Sequence, residues 1–243
     1  MTIKVAVVGA AGRMGATVCE AVEAAEDMEL TARLDAGDPI SSESLGGADV
    51  AVEFSVPSAS EANTLAILEA GADAVVGTTG WTEESLGRVR GTAERLGRSA
   101  VIAPNYALSA VLVMSFAEKA APYFESVEVL EMHHPNKVDA PSGTALRIGE
   151  MIAQAQNSDF EARKRYPYTN RRKPGDIGFS VARAGDIIGE HTVFFTADDE
   201  RLEFTHRASN RRIFARGALT AANWLGDRPA GLYSMADVLG FTS

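Results

Sequence analysis

The chain has a single cysteine, Cys19. That rules out an internal disulfide framework and a thiolate metal cluster, and its place in a helical pattern assigns it to packing. Long apolar runs are also missing, and Met1-Thr2 leads into a strand pattern with no basic n-region or apolar h-region. No membrane partner is expected, and the expected location is the cytoplasm. Positive charge is scarce: 23 Lys and Arg against 33 Asp and Glu give a formal net charge of −10. A general nucleic-acid binder needs a basic face, so that class is excluded, and any anionic ligand needs a local positive pocket. There are no repeats, low-complexity tracts or heptads. What remains, 243 residues of which 46% are hydrophobic, is enough for one large or two modest domains without covalent staples.

Residues 3–8, IKVAVV, read as a buried strand running into Gly9-Ala10-Ala11-Gly12-Arg13-Met14-Gly15, with a helix from Thr17 to Ala25. Glycines at such a turn let backbone approach a pyrophosphate, which then rests on the helix N-terminus. Met28 to Leu34 is a second strand ending at Asp35, about 20 residues past the last glycine, where an acid can bind ribose hydroxyls. The spacing is G-x-x-G-x-x-G, not G-x-G-x-x-G, so the strand, helix and acid around it carry the assignment. Asp35 favours a free 2′-hydroxyl, while Arg13 and Arg33 could accommodate a 2′-phosphate, which leaves NADH and NADPH both open.

Strands at 50–55, 74–77 and 100–103 then alternate with helices at 58–70 and 83–96. This regular β-α-β alternation predicts a doubly wound parallel sheet of the Rossmann type. Ligands of such sheets sit at the carboxyl ends of the strands, where Gly9, Asp35, Ser55, Thr78, Thr79 and Asn105 fall.

The second half differs. Leu108 to Ala121 has helical periodicity, and strands are predicted at 127–132, 177–183, 190–196 and 202–208. Together they predict an α+β domain with a mixed four-stranded sheet carrying two helices. A polar insertion, roughly 157–175, reads as a long loop with a solvated Arg171-Arg172-Lys173 run. A helix from Phe214 to Leu225 closes back on the first domain. The expected division is 1–105, completed by 213–243, as a dinucleotide-binding domain, and 106–212 as a domain for substrate binding and oligomerisation.

All four histidines lie beyond residue 130, and two of them open the densest stretch, His133-His134-Pro135-Asn136-Lys137-Val138-Asp139-Ala140-Pro141-Ser142-Gly143-Thr144-Ala145. It links a strand to a helix whose buried face carries Leu146, Ile148 and Ile152, so it reads as a strand-to-helix loop. Ser142 or Asp139 can cap that helix. Cationic side chains facing a helix N-terminus make a carboxylate pocket, and an imidazole titrating near neutrality can supply a proton.

These residues resemble the 4-hydroxy-tetrahydrodipicolinate (dihydrodipicolinate) reductase family. The resemblance is carried by Glu131 to Ala145 and by Gly9 to Gly15, Gly77-Thr78-Thr79-Gly80, Ala103-Pro104-Asn105, Gly189-Glu190-His191-Thr192 and Gly231 to Met235. It covers essentially the whole chain. It implies NADH- or NADPH-dependent reduction of a small cyclic dicarboxylate on the route to diaminopimelate and lysine: water leaves C4, hydride arrives at C4, and C3 takes a proton. It implies His133 as proton donor with Lys137 also in proton transfer, and His134, Lys137, Ser142, Gly143 and Thr144 on the carboxylates. It implies Gly12, Arg13, Met14, Asp35, Gly77, Thr79 and Asn105 around the cofactor. Gly9, Gly15, Phe54 and Thr78, at the glycine turn and the strand ends, complete that set. No metal is implied, and a homotetramer joined through the second-domain sheet is. A dehydrogenase of the sugar-oxidoreductase type would share the first domain but not the Lys137-to-Thr144 run. A non-catalytic nucleotide sensor would have no reason to keep His133 with Lys137.

Overall fold

The structure, a computed structural model, describes residues 2–167 and 171–241. Two compact units divide the chain: Met1–Ala107 with Arg211–Ser243, and Leu108–Asn210.

In the first unit the chain runs β1 (Ile3–Val8), α1 (Arg13–Glu23), β2 (Met28–Leu34), β3 (Val50–Glu53), α2 (Pro57–Glu69), β4 (Asp73–Val76), α3 (Glu83–Leu96) and β5 (Ser99–Ile102). The strands pair in parallel. Their apolar residues are buried on both faces because α1 packs with α7 (Arg212–Leu225) and α2 with α3. Val8, Leu34, Ile67, Leu68, Val76 and Val89 form one shared core. The sheet order, ending β4-β3-β1-β2, puts β3 and β2 on opposite sides of β1. The chain therefore reverses direction at β1, which makes the carboxyl ends of β1 and β3 the switch point where open parallel sheets take ligands.

One strand was not expected. Residues 231–233 form β11 (Gly231–Tyr233), which pairs in parallel with β5 as the sixth strand of the sheet, ahead of a short α8 (Met235–Val238). Three residues, one of them glycine, carry too little periodicity to mark a strand in sequence.

The second unit contains α4 (Leu108–Ala120), a 3₁₀ turn at Ala121–Tyr123, β6 (Ser126–His133), α5 (Gly143–Ala155), α6 (Phe160–Arg163), β7 (Lys164–Arg165), β8 (Ile177–Arg183), β9 (Gly189–Thr196) and β10 (Arg201–Ala208). The order β10-β9-β6-β8-β7 is mixed: β9 is antiparallel to β6 and β10, while β6, β8 and β7 are parallel. The sheet thus has five strands rather than four. The added one is a two-residue edge inside the predicted insertion, held by Arg165 pairing with the buried Asp176 at 2.8 Å. Residues 168–170 of that insertion lie outside the described residues.

On one face Val127, Val129, Val193, Phe195, Ile177 and Phe179 pack against Ile148 and Ile152 of α5 and Val113, Met114 and Ala117 of α4. Full burial of such a side chain stabilises by roughly 1.5–3 kcal/mol. This face changes character toward the end of β6. Val127 and Val129 are followed at the same period-two positions by Glu131 and His133, and Val193 on β9 gives way to His191.

Candidate functional site

At the first unit's carboxyl edge, the glycine turn is stitched to the end of β2. The Gly9 and Ala10 amides both donate to the Leu34 carbonyl, at 2.8 and 3.1 Å. The Ala11 amide donates to Asp35 Oδ2 at 2.7 Å, and the Asp35 amide donates to Asp38 Oδ2. Gly9 has φ +83°, and a Cβ there would lie 2.4 Å from the Phe54 carbonyl oxygen. A Cβ at Gly15 would lie 2.0 Å from the Gly9 carbonyl oxygen. Both positions therefore exclude any larger residue. The helix begins at Arg13, four residues earlier than its periodicity suggests, because Gly12 is its N-cap. No side chain caps that end and no acid stands in its first turn, so its amides face outward at a positive helix end.

The same edge carries Phe54, its ring tilted against Tyr106 at 6.0 Å, and the buried Thr78, whose Oγ1 accepts the Ser55 amide at 2.9 Å. Thr79 is exposed, Gly77 is half-buried, and Asn105 Oδ1 accepts the Ala107 amide. Of the two arginines considered for a 2′-phosphate, Arg13 is exposed on α1, whereas Arg33 is ion-paired with Glu23. The sequence reading missed Glu53. It is fully buried at the end of β3 and takes hydrogen bonds from the Ser55 hydroxyl, from Ser60 Oγ at 2.9 Å and from Asn63.

In the second unit the buried polar end of the sheet is more densely connected. His133 is not on the loop as expected. It is the last residue of β6, buried, and the loop starts at His134. His133 Nδ1 lies 2.5 Å from Glu131 Oε2. Arg183, paired with His133 across β8, grips the same carboxylate with both Nη atoms, at 2.9 and 2.8 Å, and also reaches the Asp139 carbonyl oxygen at 2.8 Å. The Ser142 amide donates to Glu131 Oε1 at 3.0 Å. Burial pushes the Glu131 carboxyl up, but the bonds and charges of His133 and Arg183 outweigh it and hold the group at about 2.

Ser142 caps α5, its Oγ accepting the Ala145 amide at 3.2 Å, and lies 2.9 Å from His191 Nε2. Its amide and hydroxyl are thus both engaged inside the protein. His191 stands 5.3 Å from the His133 ring, edge to face, and stacks on His206 at 6.3 Å. Burial drives His191 down to about 3, and it also lowers His206. Lys137 Nζ donates to Asp139 Oδ1 at 2.6 Å, and the Gly143 amide, at the start of α5, donates to Asp139 Oδ2 at 3.3 Å. An ammonium and a helix N-terminal amide therefore converge on one carboxylate. Thr144 is buried beside them, and His134 is half-buried at the loop's start. Glu131 and His191 lie in the stretches that carry the family resemblance but were given no role there, and Arg183 was not singled out. The acid two residues before His133 was the one signal that could have found Glu131.

Residues 3–106 match the family profile described as dihydrodipicolinate reductase, N-terminus, and residues 109–239 match its C-terminus. The chain belongs to the dihydrodipicolinate reductase family. It is 40% identical to the 4-hydroxy-tetrahydrodipicolinate reductase of Nitrosomonas europaea, covering 98% of both chains, and 40% identical to that of Caulobacter vibrioides with the same coverage. A solved, dipicolinate-bound dihydrodipicolinate reductase from Paenisporosarcina sp. TG-14 superposes with a TM-score of 0.76 at 29% identity, over 98% of this chain and 99% of that one. An amine dehydrogenase from Mycobacterium smegmatis shares the fold at 11% identity, with a TM-score of 0.67 over 97% and 95% of the chains. Family membership makes this an NAD(P)H-dependent reductase with a Rossmann-type domain, of a family that serves diaminopimelate and lysine biosynthesis. It also sets aside the sugar-oxidoreductase and sensor alternatives.

Proposed function

We propose that this chain reduces 4-hydroxy-tetrahydrodipicolinate to tetrahydrodipicolinate, with residues 1–105 and 213–243 holding NADH or NADPH and 106–212 holding the substrate. The observation that carries the substrate assignment is the carboxylate of Asp139 seated on Lys137 Nζ and the Gly143 amide. That is the chemistry a ring carboxylate needs, and it lies on the loop that follows the buried, titratable His133. A substrate carboxylate replaces Asp139 on Lys137 and the α5 N-terminus, with Thr144 and His134 on its flanks. Ser142, the N-cap of α5, stands at the same helix end and completes the set around the carboxylate.

The dinucleotide fits the first unit because glycines stand at positions 9 and 15, where the tight turn admits no Cβ, and α1 presents uncapped amides. When bound, the cofactor supplies the hydride. Gly9, Gly12, Arg13, Met14 and Gly15 line its phosphates, and Asp35 its ribose. Phe54, Gly77, Thr78, Thr79 and Asn105 lie toward the nicotinamide end. His133 delivers a proton to the substrate carbon, and Lys137 holds the adjacent carboxylate and shares in proton transfer. The enzyme works in the cytoplasm as a homotetramer joined through the outer face of the second sheet, where Leu130, Met132 and Phe194 are half-buried on the side away from the core.

The test is cofactor oxidation with freshly generated 4-hydroxy-tetrahydrodipicolinate, run with NADH and with NADPH. Substrate-dependent oxidation with at least one cofactor is the expected result. None with either, from a folded protein that binds dinucleotide, overturns the assignment.

A further inference from the structure

Glu131 and Arg183 form a densely bonded ion pair behind the loop that bears Lys137, and neither was given a part in the reaction above. Glu131 is fully buried and receives four contacts: two from Arg183, one from the Ser142 amide and one from His133 Nδ1. Arg183 also holds the Asp139 carbonyl of the loop bearing Lys137. One carboxylate thus ties β6, β8 and the N-terminus of α5 into a single body around one imidazole.

A carboxylate 2.5 Å from Nδ1 can only accept from it, so that nitrogen carries a proton in both charge states of the ring. Nε2 lies against Gly189 of β9, where a Cβ would stand 3.0 Å away, so the neighbouring strand is reduced to backbone where that nitrogen emerges. We infer that Glu131, clamped by Arg183, is the positioning residue that fixes the His133 tautomer and ring so that Nε2 alone exchanges the catalytic proton. This deepens the proposed reductase mechanism and rests on it. In the step, the Nε2–H bond breaks as the carbon–hydrogen bond forms from the substrate's electron pair. The ring is left neutral with its proton on Nδ1, and Glu131 remains a carboxylate throughout.

The charges facing His133 are Glu131 on its own strand, Arg183 on β8, His191 on β9 with His206 behind it on β10, and Lys137 with Asp139 on the loop. Of these, Glu131 is the carboxylate in direct contact. Its removal withdraws the attraction that holds the imidazolium, so the alkaline limb of activity moves to lower pH.

The first measurement needs no variant: nitrogen-15 NMR of the histidine ring nitrogens in the wild-type protein. Neutral His133 should show a protonated Nδ1 and a bare Nε2, and the reverse tautomer overturns the inference. Because this readout involves no turnover, it stands or falls separately from the substrate assignment. Glu131→Gln should lower kcat about 10–100-fold with KM within about threefold, shift the alkaline limb down and mix the tautomers. A buried Arg183 without its partner can unfold the protein, so Glu131→Gln/Arg183→Met supplies a neutral pair. If folded, it should show the same kcat loss and limb shift. Wild-type kcat and an unmoved limb in either folded variant overturn the role, as does a loss confined to KM.

Discussion

The candidate sites of the two units are built from different materials. The first unit's edge is built from backbone: a tight turn with glycine where no Cβ fits, helix amides and one acid stitched to the turn. The second unit's site is built from side chains that reach across four strands and a helix cap: Glu131, His133, Arg183, His191, His206 and Ser142. Their buried glutamates show the contrast in miniature. Glu53 is met by neutral hydroxyl and amide groups, whereas Glu131 is met by a guanidinium and an imidazole. A backbone site tolerates changes that spare its shape. A side-chain network fails when one member is removed, because the remainder is left buried and unpaired.

The sharpest way to expose that contrast is His133→Gln. It preserves volume and a hydrogen-bond donor but delivers no proton, so kcat should fall about 10²–10⁴-fold with KM changed far less. Steady-state kinetics across pH decide it. A variant that keeps both rate and alkaline limb makes Lys137 or a bound water the donor. Next in size is Lys137→Ala, which should cost about 2–4 kcal/mol in kcat/KM if the ammonium holds a desolvated carboxylate. Dinucleotide affinity should be unchanged, since the first unit supplies that site. Near-normal turnover at low substrate would remove Lys137 from the pocket.

The same contrast explains what could be read in the sequence. A glycine turn between a strand and a helix, with an acid about 20 residues on, is a local pattern, so Gly9, Gly15 and Asp35 were legible before any coordinates. His133, Lys137 and Ser142 were legible as candidates because they crowd the end of one strand and the loop after it. The contacts of His133 with Arg183 and His191 were not, for those residues lie 50 and 58 positions beyond it and meet it only through strand register, which no local signal sets. Two-residue β7 and three-residue β11 were missed for a related reason: each is a strand only because a neighbour offers it an edge.

Acid tests the contrast differently, because all the histidines lie in the second unit. His191 is held down to about 3, first by burial and then by repulsion from His133 and His206, against the attraction of Glu131. An unfolded imidazole takes its proton near ~6.5, so the stability gained by keeping His191 neutral is whole above that pH and drains away as pH falls toward 3. At pH 5 the loss should be about 2 kcal/mol. Between pH 7 and pH 5 Glu131, held at about 2, adds almost nothing, because its own loss begins only below ~4.3. Urea unfolding at pH 7 and pH 5 should show the drop in wild type and a flatter response in His191→Leu. An equal drop in both would place the acid sensitivity elsewhere.

The smallest effect belongs to the backbone-built site. Asp35 Oδ2 is already taken by the Ala11 amide, which leaves Oδ1 as the acceptor for a ribose hydroxyl. Asp35→Ala should therefore weaken both cofactors a little by orphaning the turn, and NADH more, because the carboxylate accepts from a free 2′-hydroxyl and repels a 2′-phosphate. The ratio of kcat/KM for NADH to that for NADPH should fall about tenfold, or ~1.4 kcal/mol. Arg33 sharpens the point, for it is paired with Glu23 on an exposed surface. Exposed pairs are weak and screened by solvent, so Glu23→Gln should release Arg33 and improve NADPH use by only a few-fold. Equal losses with both cofactors in Asp35→Ala would mean that the carboxylate only braces the glycine turn, and that cofactor choice is made by Arg13 at the start of α1.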